Sequence, residues 1–349
     1  MSMQIGQLLI GAEHPPVVIA EMSGNHDGSL DKAIKIVEAC ATSGAQILKL
    51  QTYKPETMTL DIGEGEFFIN DPTSLWHGKN LFELYRQAMT PWEWHGPIFK
   101  RARELGMEAF SSPFDASAVD FLEELEVPAY KIASFEMIDL ALIERVASTG
   151  KPMIISTGMA SICEIEEAIC TARKAGCKDL IILKCTSTYP AEPSNSNLLS
   201  IPVLRSTFGV EVGLSDHTLG IGAAVASVSL GVRVIEKHVC LNRSDGGVDS
   251  AFSLEPSELQ QLVDESRNAW HALGNAKPGA TEAERSSLRF RRSLYICEDI
   301  QAGDLLNTTN LRAIRPGFGL PPRYLSNLIG RRVGRAAKKG EPMKWDLLA

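Results

Sequence analysis

Short apolar, β-branched runs alternate with longer segments of helical period from the start of the chain to about residue 275. The runs occupy residues 17–20, 47–50, 108–111, 130–133, 153–156, 180–183, 210–213 and 234–237. Each is of strand length. Between them lie patterns such as Leu30-Asp31-Lys32-Ala33-Ile34-Lys35-Ile36-Val37 and Glu164-Ile165-Glu166-Glu167-Ala168-Ile169, in which apolar residues recur every three or four positions. Eight repeats of strand and helix predict an α/β protein of the closed (β/α)8 TIM-barrel type. An open doubly wound sheet is the alternative reading of the same alternation. Residues 58–90 break the rhythm with Gly, Asp, Pro and aromatic residues, and read as a long loop over the active-site end of a barrel.

A second break, Asn275-Ala276-Lys277-Pro278-Gly279, opens a charged stretch. The division expected is a barrel over 1–278, a linker over 279–290 and a β-rich module over 291–349, with a turn at Gln301-Ala302-Gly303-Asp304. With 349 residues the chain is long enough for one large domain and one small one.

Composition narrows the class. Apolar residues make up 44% and charged residues 22% of the chain, and mean hydropathy is near zero. No apolar run reaches the roughly 18 residues of a membrane-spanning helix, and the N-terminal residues lack the pattern of a secretory signal. A cytoplasmic protein without a membrane partner is expected. The net charge of −8 argues against nucleic acid, although the tail from Arg285 is basic. Seven cysteines without a C-x-x-C pair indicate reduced thiols. Cys163, Cys170 and Cys177, seven apart, are expected to pack on one buried helix face.

Candidate chemistry lies at the C-terminal ends of the predicted strands, where a barrel places its active site. His217 and His238 end neighbouring strands and could share a divalent cation; two nitrogens completed by oxygen favour Mn2+ or Mg2+ over a closed zinc site. Lys49 and Lys131 with Ser134, Ser156 and Ser215 offer fixed positive charge and hydroxyl donors for a phosphate or carboxylate. Glu136 or Glu236 could instead serve such a lysine as an ion-pair partner. Glu21 and Glu136 are candidates for proton transfer.

The same residues carry a family likeness. IAEMSGNHDGSLDKA, LKLQTY, FSSPFD, YKIASFE, MIISTGM, KCTSTYP, VGLSDHTLG, VIEKHV and SDGGVDSAFSLEP resemble the sialic acid synthase family, most closely its pseudaminic acid branch. FRRSLYICEDIQAGD and RAIRPGFGLPP resemble its antifreeze-like SAF module. The resemblance implies condensation of phosphoenolpyruvate with an N-acetylated amino sugar. It makes Lys49, Lys131, Ser134, Ser156 and Ser215 phosphoenolpyruvate ligands, joined by Ser112, and His217 and His238 the metal ligands, with Co2+ admissible beside Mn2+ and Mg2+. Glu21, Gln51, Tyr189 and Asp249 fall on the sugar side. Together the two readings make Glu21, Glu136 and His238 the catalytic candidates, Glu136 on the residue reading alone. Arg315 is implied to reach the sugar in a partner's barrel, in a domain-swapped homodimer. The departures at His26-Asp27-Gly28 and Val239-Cys240-Leu241-Asn242 bear on the sugar pocket. N-acetylmannosamine or a legionaminic acid precursor is the alternative acceptor, and a non-catalytic sugar- or phosphate-binding barrel is the alternative of another class.

Overall fold

The structure is a computed structural model and describes residues 3–349. A short antiparallel hairpin, β1 (Met3–Ile5) and β2 (Leu8–Ile10), precedes eight parallel strands. These are β3 (Val17–Glu21), β4 (Ile47–Thr52), β5 (Glu108–Pro113), β6 (Tyr130–Ile132), β7 (Met153–Ser156), β8 (Leu180–Cys185), β9 (Glu211–Ser215) and β10 (Val234–His238). They close in sequence order, with β10 pairing β3 from Val234 opposite Val17 to His238 opposite Glu21. The closed barrel expected from the alternation is therefore the observed fold, and the open sheet is not.

Several strands run past their apolar stretch into polar residues, because the backbone ladder continues after the aliphatic side chains end. Register then sets the neighbours. Glu21 stands between His238 on one side and Lys49 on the other, and Ser215 between Cys185 and Glu236. Below this polar layer Ile19, Ile47, Phe110, Ile154, Leu183 and Ile235 are almost wholly buried in one continuous core. Each such burial is worth about 1.5–3 kcal/mol. Gly213 is required by a close approach: a Cβ there would stand 2.5 Å from the Val234 carbonyl oxygen.

The helices follow from caps and stripes. Ile162–Lys174 starts at Ser161, whose side chain accepts from Glu164 N while Glu164 answers through its own carboxylate. Its buried stripe is Ile165, Ala168, Ile169 and Ala172. Cys163 and Cys170 are exposed and only Cys177, beyond the helix end, is buried. This corrects the expectation of a buried cysteine face: a spacing of seven puts residues on one side, and here that side is the solvent side.

Two further corrections concern the loops. The hairpin β1–β2 was not foreseen, yet Met3, Ile5 and Ile10 belong to the barrel core, and Gln7 N donates to Glu108 Oε1 at 2.8 Å at the start of β5. Residues 58–90 are also more regular than a loop. They hold a 3-10 turn, Gly65–Phe67, and a helix, Leu81–Ala88, capped by Asn80 accepting from Phe82 N at 2.7 Å.

Residues Asn275–Ala349 form a second compact unit with its own core around Leu294, Ile296, Leu311, Leu328, Val333 and Met343. Its strands β11 (Ser293–Ile296) and β12 (Leu311–Ile314) are antiparallel. The turn expected at Gln301–Asp304 is present, closed by Asp304 N to Gln301 O at 3.1 Å with Gly303 at φ +92°.

Candidate active site

The strand ends surround a cavity of about 280 Å3. Its inner half is ionic. Lys49 pairs with Glu21 and lies 3.8 Å from Glu236 Oε1, while Lys131 Nζ lies 4.0 Å from Glu236 Oε2. All four side chains are almost wholly withdrawn from water. Lys131 donates to Ser156 Oγ at 2.7 Å and to Ile132 O at 3.1 Å, Lys49 to Ser112 Oγ at 3.3 Å, and Ser215 to Glu236 Oε1 at 3.3 Å. Ser134 accepts from Gly158 N at 3.2 Å.

Burial and charge act against one another here. Burial alone would raise Glu236, but Lys131 and Lys49 overrule it and hold the carboxylate below its usual range. Burial raises Glu21, and Lys49 offsets this only in part while the like charge of Glu236 adds to it. Burial lowers Lys131 despite Glu236, whereas Lys49 is raised because Glu21 and Glu236 outweigh burial. Lys49 and Lys131 thus share the carboxylates of Glu21 and Glu236, and buried ammonium groups beside serine hydroxyls are the chemistry that holds an anion in a site of low dielectric.

The second wall carries the histidines. The rings of His217 and His238 are 5.3 Å apart, and Phe252 packs against both. His217 Nδ1 bonds to Thr186 O at 2.9 Å, and the ring also meets the Cys185 thiol, which burial would raise but His217 draws down to about 7. Burial, with His217 and Lys49, holds His238 well below its ordinary range, and its Nδ1 has no hydrogen-bond partner. Asp249 Oδ2 lies 3.6 Å from that nitrogen and accepts from Ser23 Oγ, which in turn accepts from Gln51 Nε2 at 3.1 Å. Tyr189 lies 4.5 Å from the His217 ring. Glu136 also lines the cavity. Burial lifts its carboxyl to about 7. Lys131 has no ion pair with Glu136; its carboxylate is Glu236.

Most sequence-derived candidates thus meet at one cavity: Lys49, Gln51, Lys131, Ser134, Glu136, Ser156, Tyr189, Ser215, His217, His238 and Asp249 line it. Glu21 and Ser112 join through Lys49. Arg315 is exposed in the second unit. Other polar strand-end residues turn away from the cavity. Lys237 is buried on Asp216 at 3.0 Å, Asn25 donates to Val239 O at 2.8 Å, and His26 meets Thr90 at 3.2 Å. Sequence reasoning missed the central place of Glu236, having named it only as a possible lysine partner. Its position two residues before His238, hence on the same side of the strand, was the available signal. Ser23 and Cys185 were missed outright, and within the 58–90 excursion, expected over this end of the barrel, Met58, Ile69, Leu81, Leu84 and Tyr85 were not singled out.

Residues 36–278 match the model of the NeuB family, and residues 291–349 that of the SAF domain. The chain belongs to the NeuB, or sialic acid synthase, family. Within it, the pseudaminic acid synthase of Helicobacter pylori is 41% identical over 95% of this chain and 97% of its own length. That of Campylobacter jejuni subsp. jejuni serotype O:2 is 41% identical over 98% of each. Among solved structures, N-acetylneuraminic acid (sialic acid) synthetase from Leptospira borgpetersenii matches with a TM-score of 0.74 and 30% identity, over 82% of this chain and 95% of the other. No helix of the described residues is long and apolar enough to cross a membrane.

Proposed function

We propose that this chain condenses phosphoenolpyruvate with 2,4-diacetamido-2,4,6-trideoxy-β-L-altropyranose and water to give pseudaminic acid and phosphate. The observation that carries the reaction class is the buried Lys49–Glu236–Lys131 cluster lining one cavity together with two histidines. The sugar follows from 41% identity along nearly the whole chain to two pseudaminic acid synthases, against 30% to the neuraminic acid enzyme.

Lys49 and Lys131, with Ser112, Ser134, Ser156 and Ser215, hold the phosphate and carboxylate and so bring C3 of the enol toward the sugar aldehyde. The C3–C1 bond forms, water adds at C2, and the C2–oxygen bond to phosphorus then breaks to release phosphate. Glu21 and Glu136 are the proton-transfer groups; a carboxyl near 7 suits that work at neutral pH. Gln51, Tyr189 and Asp249 orient the sugar.

His217 and His238 fit a divalent cation, since the two buried rings lie 5.3 Å apart, His238 Nδ1 has no hydrogen-bond partner, and a carbonyl fixes Nδ1 of His217. Among the described residues no group of three His, Cys, Asp or Glu is arranged to hold a metal. Water and substrate oxygens would complete the shell, which suits Mn2+ or Mg2+, and Co2+ as well, better than closed zinc. When bound, such a cation supplies Lewis-acid polarisation of the aldehyde oxygen.

A barrel over 1–278 joined by a 279–290 linker to the SAF module, a domain-swapped homodimer with Arg315 serving the partner's sugar, and a cytoplasmic location complete the reading. Phosphate release from phosphoenolpyruvate tests it, with the trideoxy sugar, N-acetylmannosamine and the legionaminic acid precursor supplied in turn, with Mn2+ or with chelator. Metal-dependent release with the trideoxy sugar is expected. Release with another sugar moves the substrate, and no release with any of them returns the chain to a binding role.

A further inference from the structure

The helix Leu81–Ala88 has an unusual partner for its apolar face. Leu81, Leu84, Tyr85 and Ala88 fall at spacings of three and four, a single stripe, while Glu83, Arg86 and Gln87 are exposed on the other side. An amphipathic helix ordinarily turns such a stripe onto the core. Among the described residues, the contiguous barrel core contains none of these four side chains. All four line the cavity instead, beside Met58 and Ile69 from the same excursion.

The helix is seated rather than loosely draped. A Cβ on Gly24 would stand 3.0 Å from Ala88 Cα and 3.1 Å from its carbonyl oxygen, so the backbone after β3 lies directly against the last helical turn. Tyr53 donates to Tyr85 O at 3.3 Å and packs edge-on against the Tyr85 ring. On the way into the helix, Trp76 Nε1 donates to Val248 O at 3.1 Å, next to Asp249.

The cavity therefore has an ionic half, for the anion, and a largely apolar half built by the excursion from Met58, Ile69, Leu81, Leu84 and Ala88 with the rings of Trp76 and Tyr85. The substrates differ in the same sense. Relative to N-acetylmannosamine, the trideoxy sugar carries an acetamido group for the C4 hydroxyl and a methyl for the C6 hydroxymethyl. Both changes add methyl surface and remove a hydroxyl. We infer that the apolar face of Leu81–Ala88, with Met58 and Ile69, is the specificity element that receives the C6 methyl and the C4 acetamido methyl. The inference rests on the reading of the reaction in the preceding subsection and deepens it.

An apolar wall of this kind discriminates by about 10- to 200-fold per group. The test compares kcat/KM for the trideoxy sugar with kcat/KM for N-acetylmannosamine in the wild-type chain and in Leu84→Asn, Ile69→Asn and Leu84→Met. The ratio is the readout because partial unfolding lowers both constants alike and leaves it unchanged. The ratio is expected to fall about tenfold or more in each Asn variant and to stay near wild type in Leu84→Met. Asn variants that keep the wild-type ratio, in an enzyme that prefers the trideoxy sugar, overturn the inference alone. A wild-type enzyme that prefers N-acetylmannosamine overturns the sugar assignment and this inference with it.

Discussion

Glu236 Oε2 lies 4.0 Å from Lys131 Nζ, with both side chains out of water. Burial weakens the ammonium form of Lys131, and the carboxylate restores it only in part. An incoming anion adds the charge that completes the balance. Lys131→Ala is therefore expected to lower kcat/KM for phosphoenolpyruvate by about 10²–10³-fold, while Mn2+ bound per chain stays as in the wild type. Unchanged steady-state constants for phosphoenolpyruvate would refute that role.

Glu136 makes a prediction about pH. Burial places its folded-state value at about 7, above 4.5 in the open chain. The folded state thus holds the proton more tightly. Stability from this group is fully present below about 4.5 and is lost as pH rises through about 7, a loss on the order of 3 kcal/mol above it. Glu136→Gln should flatten that decline, seen as a smaller difference between urea midpoints at pH 5 and pH 8. In the pH profile of kcat/KM, the limb near 7 should vanish with it. Parallel profiles in wild type and variant would show that the carboxyl neither titrates nor acts there.

Gly24→Val tests how the Leu81–Ala88 helix is held. The added side chain meets backbone atoms of Ala88 at about van der Waals contact or closer, and the helix has to move. KM for the sugar is expected to rise at least several-fold while KM for phosphoenolpyruvate changes little, because the lysines belong to β4 and β6. Equal rises in both constants would mean that the barrel itself is disturbed.

Much of this architecture was legible from residue patterns for a physical reason. Parallel strands covered on both faces read as unbroken aliphatic runs, so 153–156 and 180–183 announce themselves. Polar side chains at the ends of such runs have few other reasons to be there, which exposed Lys49, Lys131 and His217. What escaped notice depends on side-chain direction or on distant partners. Lys237 and His238 are adjacent, yet one turns to Asp216 and the other to the cavity. Trp76 meets Val248 across 172 positions, and no local period encodes that meeting. The exposed Cys163 and Cys170 show the limit of spacing itself, which says that residues share a face but not which face is dry.

The β1–β2 hairpin adds an aliphatic seal to a barrel whose interior its own strand residues already fill. Ile5 and Ile10 are sealed into the core, and the Gln7 amide is tied to Glu108 at the foot of β5. The foot of the barrel is stoppered with aliphatic side chains, so the reaction chamber is a cul-de-sac. Phosphoenolpyruvate, sugar, phosphate and the nine-carbon acid all use the mouth above the strand ends, and each turnover must clear it before the next can load.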